Sequence, residues 1–305
     1  MEATATSSSA ALESWHQPWH QFIPSTQSWK CVETSNSSRQ APELGRNLDP
    51  SFTIATWNMD AGAVSSPART EAIISYLLGL QSVDIIFFQE VSKSALVHLL
   101  QDSRIRQSWY SSEQDLGNWG GHLFATMTFL SKDRFTDSSL GPLWRVKFPS
   151  RFGRDALCCD ISISIPLSMS DNSPKTSQLR LVNVHLDSLA LRPSKRPAQL
   201  SIVADILRRC GQGLVAGDFN AVLPEDDSLV QDNGLVDAWT ELLHPEPGFT
   251  WGVDGKQKFP PGRLDKVAML GLQAVDIQVL HPHTIQGNDG RLIPWSDHCG
   301  LKCTF

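Results

Sequence analysis

Short apolar runs that end in polar residues are the feature that most restricts the fold of this chain. The clearest is "GLVAGDFNAVLP" at 213–224, where an apolar run ends at Gly217 and Asp218 and Asn220 follow. Side chains alternate along a strand, so Asp218 and Asn220 project to one side and Phe219 to the other. The segment therefore predicts either a turn, in which Asp, Asn and Gly are common, or a strand that presents two oxygen-bearing side chains at its carboxyl end.

From Phe52 onward the pattern alternates between strand-like and helix-like segments. "FTIATWN" and "VDIIFFQEV" read as strands. Between them, "SPARTEAIISYLLGL" reads as a helix with Ser66 as N-cap and Pro67 in its first turn. "SKSALVHLLQDSRIRQSW" predicts a second helix, a run of strands follows, and "PAQLSIVADILRRC" predicts a third helix. This order favours a sheet packed on a sheet, with helices outside.

We divide the chain into a flexible or partly docked N-terminal segment at 1–50 and one domain at 51–305. The first segment is rich in Ser, Thr, Gln and Pro, and we see no linker after it. Deletion of residues 1–45 is accordingly expected to leave catalysis largely intact. The start lacks the basic and apolar parts of a secretory signal, and we see no apolar run of about 18 residues. We therefore expect an intracellular protein without a membrane span.

Charge and cysteine usage exclude some classes of function. The net charge of −6 argues against a protein that coats nucleic acid through a broad basic surface. It remains compatible with an enzyme that acts on a phosphate through a bound cation. The six cysteines form no CxxC pair, so we interpret them as reduced packing residues and expect no zinc site.

Polar residues of one chemical kind follow several of the apolar segments. Those that follow a segment are Asn58, Glu90, His185, Asp187, Ser188, Asp218 and Asn220, and Asp297 and His298 lie immediately before the last predicted strand. Each has a structural alternative, such as a turn cap for Asn58 or a buried core histidine for His185. As a set, the oxygen ligands suit Mg²⁺, the histidines suit a developing phosphate charge, and an aspartate can activate water. The set indicates metal-assisted phosphoryl hydrolysis.

The segments "TWN", "FQEV", "HLDS", "GDFN" and "SDH", in this order, resemble the endonuclease/exonuclease/phosphatase superfamily, and within it enzymes of the tyrosyl-DNA phosphodiesterase type. The resemblance spans residues 52–305. It implies a four-layer α/β sandwich of two packed mixed β-sheets flanked by helices. The chain departs from the pattern at Val222, where related enzymes carry an arginine, and at Asp187, where they carry a glutamate.

The resemblance also implies roles for the site residues. Glu90 is the implied main Mg²⁺ ligand, with Asn58 and Asp297 near the metal, and Mn²⁺ is a substitute ion. The implied catalytic residues are His185, Asp218, Asn220, Asp297 and His298. The implied substrate-binding residues are Ser188, Trp251 and Asn58.

The implied reaction is Mg²⁺-dependent hydrolysis of a 5′-phosphotyrosyl bond on DNA, as part of DNA end processing and repair. The expected partner is a nucleic acid with a blocked 5′ end, and the expected protein is a nuclear monomer. The alternatives are a superfamily hydrolase that acts on other DNA, RNA, an inositol phosphate or a lipid headgroup, and a binding protein that has lost its chemistry. The complete set of polar residues argues against the last alternative.

Overall fold

A computed structural model describes residues 12–32, 51–64, 66–165, 175–287 and 289–305. In these ranges the α-helices are α1 (Ser66–Gly79), α2 (Lys93–Gln101), α3 (Ser103–Ser108), α4 (Arg196–Cys210), α5 (Leu229–Asp232) and α6 (Ala238–Leu243). The strands are β1 (Ser14–Gln17), β2 (His20–Ile23), β3 (Ser28–Cys31), β4 (Thr53–Asn58), β5 (Ile85–Ser92), β6 (Trp109–Ser111), β7 (Phe124–Ser131), β8 (Leu140–Lys147), β9 (Asp155–Ile165), β10 (Lys175–His185), β11 (Gly213–Asp218), β12 (Val236–Asp237), β13 (Asp265–Leu270), β14 (Asp276–Leu280), β15 (Thr284–Gln286), β16 (Leu292–Pro294) and β17 (Gly300–Thr304).

The strands form two large mixed sheets. Sheet I has the order β1-β8-β9-β10-β11-β13-β12, and sheet II has the order β14-β17-β4-β5-β7-β6-β2-β3. Near the centre of each sheet lies a parallel pair, β10 with β11 in sheet I and β4 with β5 in sheet II. The polar ends predicted from the sequence are the carboxyl ends of these four strands.

Three apolar layers hold the fold together and confirm the predicted four-layer α/β sandwich. One layer lies between the two sheets and includes Phe87 and Leu214. A second packs α1 and α2 on the outer face of sheet II, and a third packs α4 on the outer face of sheet I. The sheets are therefore covered on both sides, which suits their long apolar strands.

The space between the sheets changes from apolar to polar along the strands. On β4, Ile54 lies in the apolar layer, and the next two positions on the same side are Thr56 and Asn58. On β11 the corresponding series runs from Leu214 to Asp218. Because the strand period is two, each strand delivers one polar side chain to the same end of the inter-sheet space.

Residues 12–32, here called the N-terminal strap, pair with both sheets. Strand β1 lies at the edge of sheet I beside β8, and β2 joins sheet II beside β6. The indole of Trp19 is buried and donates a hydrogen bond to the carbonyl of Gly141 at 3.2 Å. The side-chain amide of Gln17 donates to the carbonyl of Ser112 at 2.7 Å. The strap therefore covers one edge of each sheet.

The prediction of one helix at 92–109 is wrong in one respect, because the segment forms the two helices α2 and α3. They meet at Asp102, whose backbone is extended and whose carboxylate accepts hydrogen bonds from the amides of Arg104 and Ile105. Asp102 thus caps a new helix, which is a frequent role of aspartate. In the described parts of the chain, no helix is long and apolar enough to cross a membrane, and all six cysteines are free thiols, with Cys31 exposed.

Candidate active site

The carboxyl ends of the two central parallel pairs meet in one polar cleft between the sheets. The side-chain amide of Asn58 on sheet II donates to Asp218 Oδ2 on sheet I at 3.0 Å. His185 Nε2 lies 3.4 Å from Asp218 Oδ2 and 3.7 Å from Glu90 Oε1. Four side chains that are far apart in the sequence are therefore neighbours, and each sheet supplies two of them.

Asp218 lies at the centre of this cleft. It is 1% exposed, and its Oδ1 accepts a hydrogen bond from the amide of Asn220 at 2.8 Å. Burial raises the pKa of Asp218 to about 7, against the opposing effect of His298 and with a further increase from Asp265. A carboxylate with a pKa near neutrality can accept a proton from water at physiological pH.

A buried pair, Asp265 and His298, supports Asp218. His298 Nδ1 lies 2.8 Å from Asp265 Oδ2, and His298 Nε2 lies 3.9 Å from Asp218 Oδ2. Burial by itself lowers the pKa of His298, but Asp265 and Asp218 outweigh it and raise the pKa to about 10. His298 is accordingly a cation that can donate a hydrogen bond into the cleft.

Asp265 is a site residue that the sequence reasoning missed. It is the first residue of β13, and it lies on the side of that strand that carries Val267 and Met269 into the inter-sheet layer. An acid at the start of such a period-two apolar pattern is the signal that could have revealed it.

A second group of acids lies on the sheet II side of the cleft. Glu90 Oε2 accepts a hydrogen bond from the amide of Ala61 at 2.9 Å. Burial and the nearby charges of Asp297 and Glu90 raise the pKa of Asp60, although Arg69 opposes them. Asp60 therefore lies close to two predicted metal ligands, and its charge adds to theirs.

The donor set decides which acids fit a metal. The carboxylates of Glu90, Asp60 and Asp297 provide only oxygen atoms, which suits a hard cation such as Mg²⁺. Among the described residues, the group whose ligand atoms lie close enough together to share an ion is Asp218, Asp265 and His298, and not the three acids. We assign the ion to the acids and not to that group, because Mg²⁺ prefers oxygen ligands and is held by one or two carboxylates together with water, whereas His298 offers a nitrogen and already contacts Asp265 through Nδ1.

The remaining predicted residues lie around this cleft. Asn220 has a left-handed backbone with φ of 49°, and its side-chain amide donates to the carbonyl of Leu186. The indole of Trp251 donates to Asp297 Oδ2 at 3.0 Å. Ser188 Oγ lies 3.4 Å from Arg154 Nη2. The structure therefore brings all of the predicted site residues to one end of the sandwich.

A pocket of about 280 Å³ opens beside His185. The ring of Phe124 stacks near the imidazole of His185 with centroids 6.1 Å apart. The guanidinium of Arg154 lies 5.0 Å from the centre of the Phe124 ring and 5.7 Å from that of Phe152. Aromatic walls with a stacked cation favour a flat, apolar or aromatic group.

Comparison with known proteins gives a consistent result. A sequence model of the Endonuclease/Exonuclease/phosphatase family matches residues 55–298. The chain is 23% identical over 310 residues to tyrosyl-DNA phosphodiesterase 2 of Danio rerio, covering 90% of this chain and 73% of that protein. It is 26% identical over 284 residues to tyrosyl-DNA phosphodiesterase 2 of Mus musculus, covering 87% of this chain and 70% of that protein.

Solved structures show the same fold. TDP2 from Caenorhabditis elegans superposes with a TM-score of 0.63 at 22% identity, covering 84% of this chain and 75% of that chain. Danio rerio TDP2 in complex with a single-strand DNA product superposes with a TM-score of 0.60 at 23% identity, covering 84% and 99%. At these identities the superpositions are evidence for the fold alone.

Proposed function

The chain belongs to the Endonuclease/Exonuclease/phosphatase family, and on this basis we propose that it is a Mg²⁺-dependent phosphodiesterase that hydrolyses 5′-phosphotyrosyl bonds on DNA. The observation that carries the proposal is the position of Asp218. This buried carboxylate, with a pKa of about 7, contacts Asn58 on one side and lies beside two histidines on the other.

Asp218 acts as the general base on the attacking water. Asn58 donates to Oδ2 and the amide of Asn220 donates to Oδ1, so the carboxylate is held in one orientation. Fixed orientation lowers the entropic cost of placing the water for attack on phosphorus. The amide oxygen of Asn58 also accepts a hydrogen bond from the amide of Asp60 at 3.0 Å, which fixes Asn58 itself.

The two histidines stabilise the charge that develops on the phosphate oxygens. His298 donates as an imidazolium whose orientation is fixed by Asp265. His185 is neutral, because burial, Arg154 and His298 lower its pKa well below the usual value. One cationic and one neutral donor therefore face the same reacting group.

Glu90, Asp60 and Asp297 are the residues that would hold Mg²⁺, with Asn58 beside them. A bound Mg²⁺ would supply Lewis-acid stabilisation of a phosphate oxygen. Asp60 extends the predicted ligand set. Burial, Asp297 and Glu90 raise its pKa against the effect of Arg69, and a cation near these acids would relieve the repulsion between their charges.

The tyrosyl substrate is supported by the pocket and by the relatives. The aromatic walls of the pocket beside His185 suit a tyrosine leaving group. Phenol, with a pKa of about 10, leaves more easily than an alkoxide and needs less help from a general acid. Proteins named tyrosyl-DNA phosphodiesterase 2 match most of this chain, and one such structure contains a single-strand DNA product. A nuclear location and a monomeric state stay predictions.

A substrate panel with Mg²⁺ and with EDTA tests the proposal. The panel contains 5′-tyrosyl DNA, 3′-tyrosyl DNA, an abasic-site duplex, poly(A) and an inositol polyphosphate, and the Asp218→Asn variant is the negative control. We expect release of tyrosine from 5′-tyrosyl DNA only, with Mg²⁺ and with the wild-type protein. Faster turnover of another substrate would assign the site to a different hydrolase of the family, and turnover in EDTA would contradict the metal role.

A further inference from the structure

A layer of uncharged polar side chains lies directly beneath the charged cleft. Thr56, Gln89, Asn183 and Thr128 come from four strands of the two sheets, and each is at most 1% exposed. Below them lies the apolar layer, and above them lie Asn58, Glu90 and His185. Buried polar groups are costly unless they are hydrogen-bonded, so the contacts within this layer indicate what it does.

Gln89 and Asn183 form a direct bridge between the sheets. Gln89 Nε2 donates to Asn183 Oδ1 at 2.8 Å. Gln89 also pairs with Thr56 on the neighbouring strand of sheet II, at 3.0 Å from Nε2 to Oγ1. Each of the two bridge residues lies within two positions of a cleft residue, since Gln89 precedes Glu90 and Asn183 lies two positions before His185.

The bridge ends at an irregular point of β5. The pairing of β5 with β7 shifts register between Phe88 and Val91, and Glu90 has a left-handed backbone with φ of 53°. For a residue other than glycine, this backbone conformation costs free energy, and it persists only where the surrounding structure enforces it. The bulge is what turns Glu90 toward the cleft.

Asn183 binds the backbone next to this bulge. Its side-chain amide donates to the carbonyl of Phe88 at 3.2 Å and to the carbonyl of Met127 at 2.9 Å. Phe88 and Met127 are the paired residues at which the regular β5–β7 ladder stops. One side chain of sheet I therefore anchors the irregular backbone of sheet II.

Gly217 allows the two sheets to come this close. Its φ is 137°, and a Cβ atom at this position would lie 2.1 Å from the carbonyl oxygen of Val184 and 3.0 Å from Gln89 Nε2. A side chain at 217 would therefore displace the bridge and strain the backbone.

From these contacts we infer that Asn183 and Gln89 are positioning residues for Glu90, and that their bridge sets the affinity of the cleft for a divalent cation. This inference rests on the proposed role of Glu90 as a metal ligand. The physical reason is that a ligand held by a strained bulge stays in its binding geometry only while the bulge is anchored. Partners of metal ligands typically contribute about 10- to 100-fold to metal affinity.

The test measures Mg²⁺ binding by isothermal titration calorimetry, without substrate, on the full chain. Asn183→Leu removes the side-chain amide that donates to the carbonyls of Phe88 and Met127, with little change in size. Glu90→Gln removes the charge of the proposed ligand. Thr53→Val is the matched control, because it removes a partly buried side-chain hydrogen bond of sheet II, to Thr304 at 2.9 Å, at the far end of β4. Backbone hydrogen exchange at Glu90 and Val91 is the second measurement.

We expect Mg²⁺ affinity to fall about tenfold in Asn183→Leu, to fall further in Glu90→Gln, and to stay at the wild-type value in Thr53→Val. Exchange at Glu90 and Val91 should accelerate in Asn183→Leu alone. If Asn183→Leu is not obtained folded, Asn183→Ser, which is too short to reach the carbonyls, takes its place with the same expectation.

The outcomes distinguish the proposed ligand role of Glu90 from the proposed role of the bridge. Unchanged Mg²⁺ binding in Glu90→Gln would remove Glu90 from the metal site and overturn the proposed ligand role. Weaker binding in Glu90→Gln together with wild-type binding in Asn183→Leu would leave the metal site in place and overturn the bridge.

Discussion

The two ends of the space between the sheets differ in what they contribute. The lower end, with Phe87, Leu181 and Leu214, is apolar and fully buried. The upper end is also buried at His185 and Asp218, but it contains ionised groups such as the pair of His298 and Asp265. The lower end stabilises the fold by removing apolar surface from water. The upper end works against folding, because ionised groups are taken out of water with only partial compensation.

The difference shows that the apolar lower end supplies the stability that the charged site at the upper end costs. The raised pKa of Asp218 and the left-handed backbone of Glu90 are both local costs. They persist because the apolar layers hold the sheets at a fixed separation. A substitution at the upper end should consequently lower the rate without loss of stability, and one at the lower end should lower stability without loss of rate.

Asp218→Asn should produce the largest effect and sharpens this comparison most. We expect kcat to fall about 10³-fold, since general bases typically contribute 10²- to 10⁴-fold. An unfolded aspartate releases its proton near pH 4, whereas Asp218 releases its proton near pH 7. Its contribution to stability is therefore lost as the pH rises through this range.

The free energy of unfolding of Asp218→Asn at pH 8 should consequently equal or exceed that of the wild type. Kinetics and urea denaturation check both parts. Asp205→Asn, at an exposed helix position, is the control. An unchanged rate would remove Asp218 from the mechanism.

Deletion of the N-terminal strap tests an element that contributes to both ends. Trp19 lies in the lower apolar layer, while Gln17 binds Glu113, which in turn pairs with the buried Arg145 beside the pocket. The sequence alone predicts that loss of residues 1–45 leaves catalysis largely intact, but these contacts change that expectation. We propose that the strap is part of the catalytic domain.

Removal of residues 1–32 should lower the free energy of unfolding by about 3 kcal/mol or more, by analogy with the loss of one buried Trp side chain, and activity should fall with it. Urea denaturation and rate measurements check this, with deletion of residues 1–11 as the control. A fully stable and active truncated chain would show that the strap is dispensable.

Leu214→Ala tests the lower end alone. The side chain is fully buried in the inter-sheet layer, so truncation should cost about 2–5 kcal/mol of unfolding free energy. The rate at a temperature where the variant is folded should match the wild type. Val97→Ala, on an exposed position of α2, should change neither quantity. A large loss of rate in folded Leu214→Ala would show that the two ends are not separable.

Acidification should give the smallest effect, through His20 of the strap. Burial lowers the pKa of His20, although Glu113, Asp115 and hydrogen bonds to the backbone oppose the shift. A histidine whose folded pKa is lowered contributes its full stability above about pH 6.5 and loses it as the pH falls further. Wild type should therefore lose more stability than His20→Phe between pH 7.5 and 5.5 in parallel urea titrations. Equal losses in both proteins would exclude His20 as the cause.

Much of the fold follows from local patterns in the sequence. Helix α1 begins at Ser66, one position earlier than the N-cap role predicted for that residue, with Pro67 in its first turn as predicted, and "GLVAGD" forms a buried strand with Asp218 at its end. These features depend on neighbouring residues, so periodicity and capping preferences reveal them. The helix predicted at 92–109 fails at Asp102, where an aspartate that fits inside a helix instead caps a new one.

The sequence by itself determined which residue types were available for the site, since Asn58, Glu90, His185 and Asp218 each follow an apolar strand. Only the tertiary structure decided that they face one another, that Asp265 joins His298, and that Asn183 anchors the bulge at Glu90. The reason is physical. Period and propensity are local properties of the chain, whereas contacts and pKa values depend on which residues of the two sheets are packed together and removed from water.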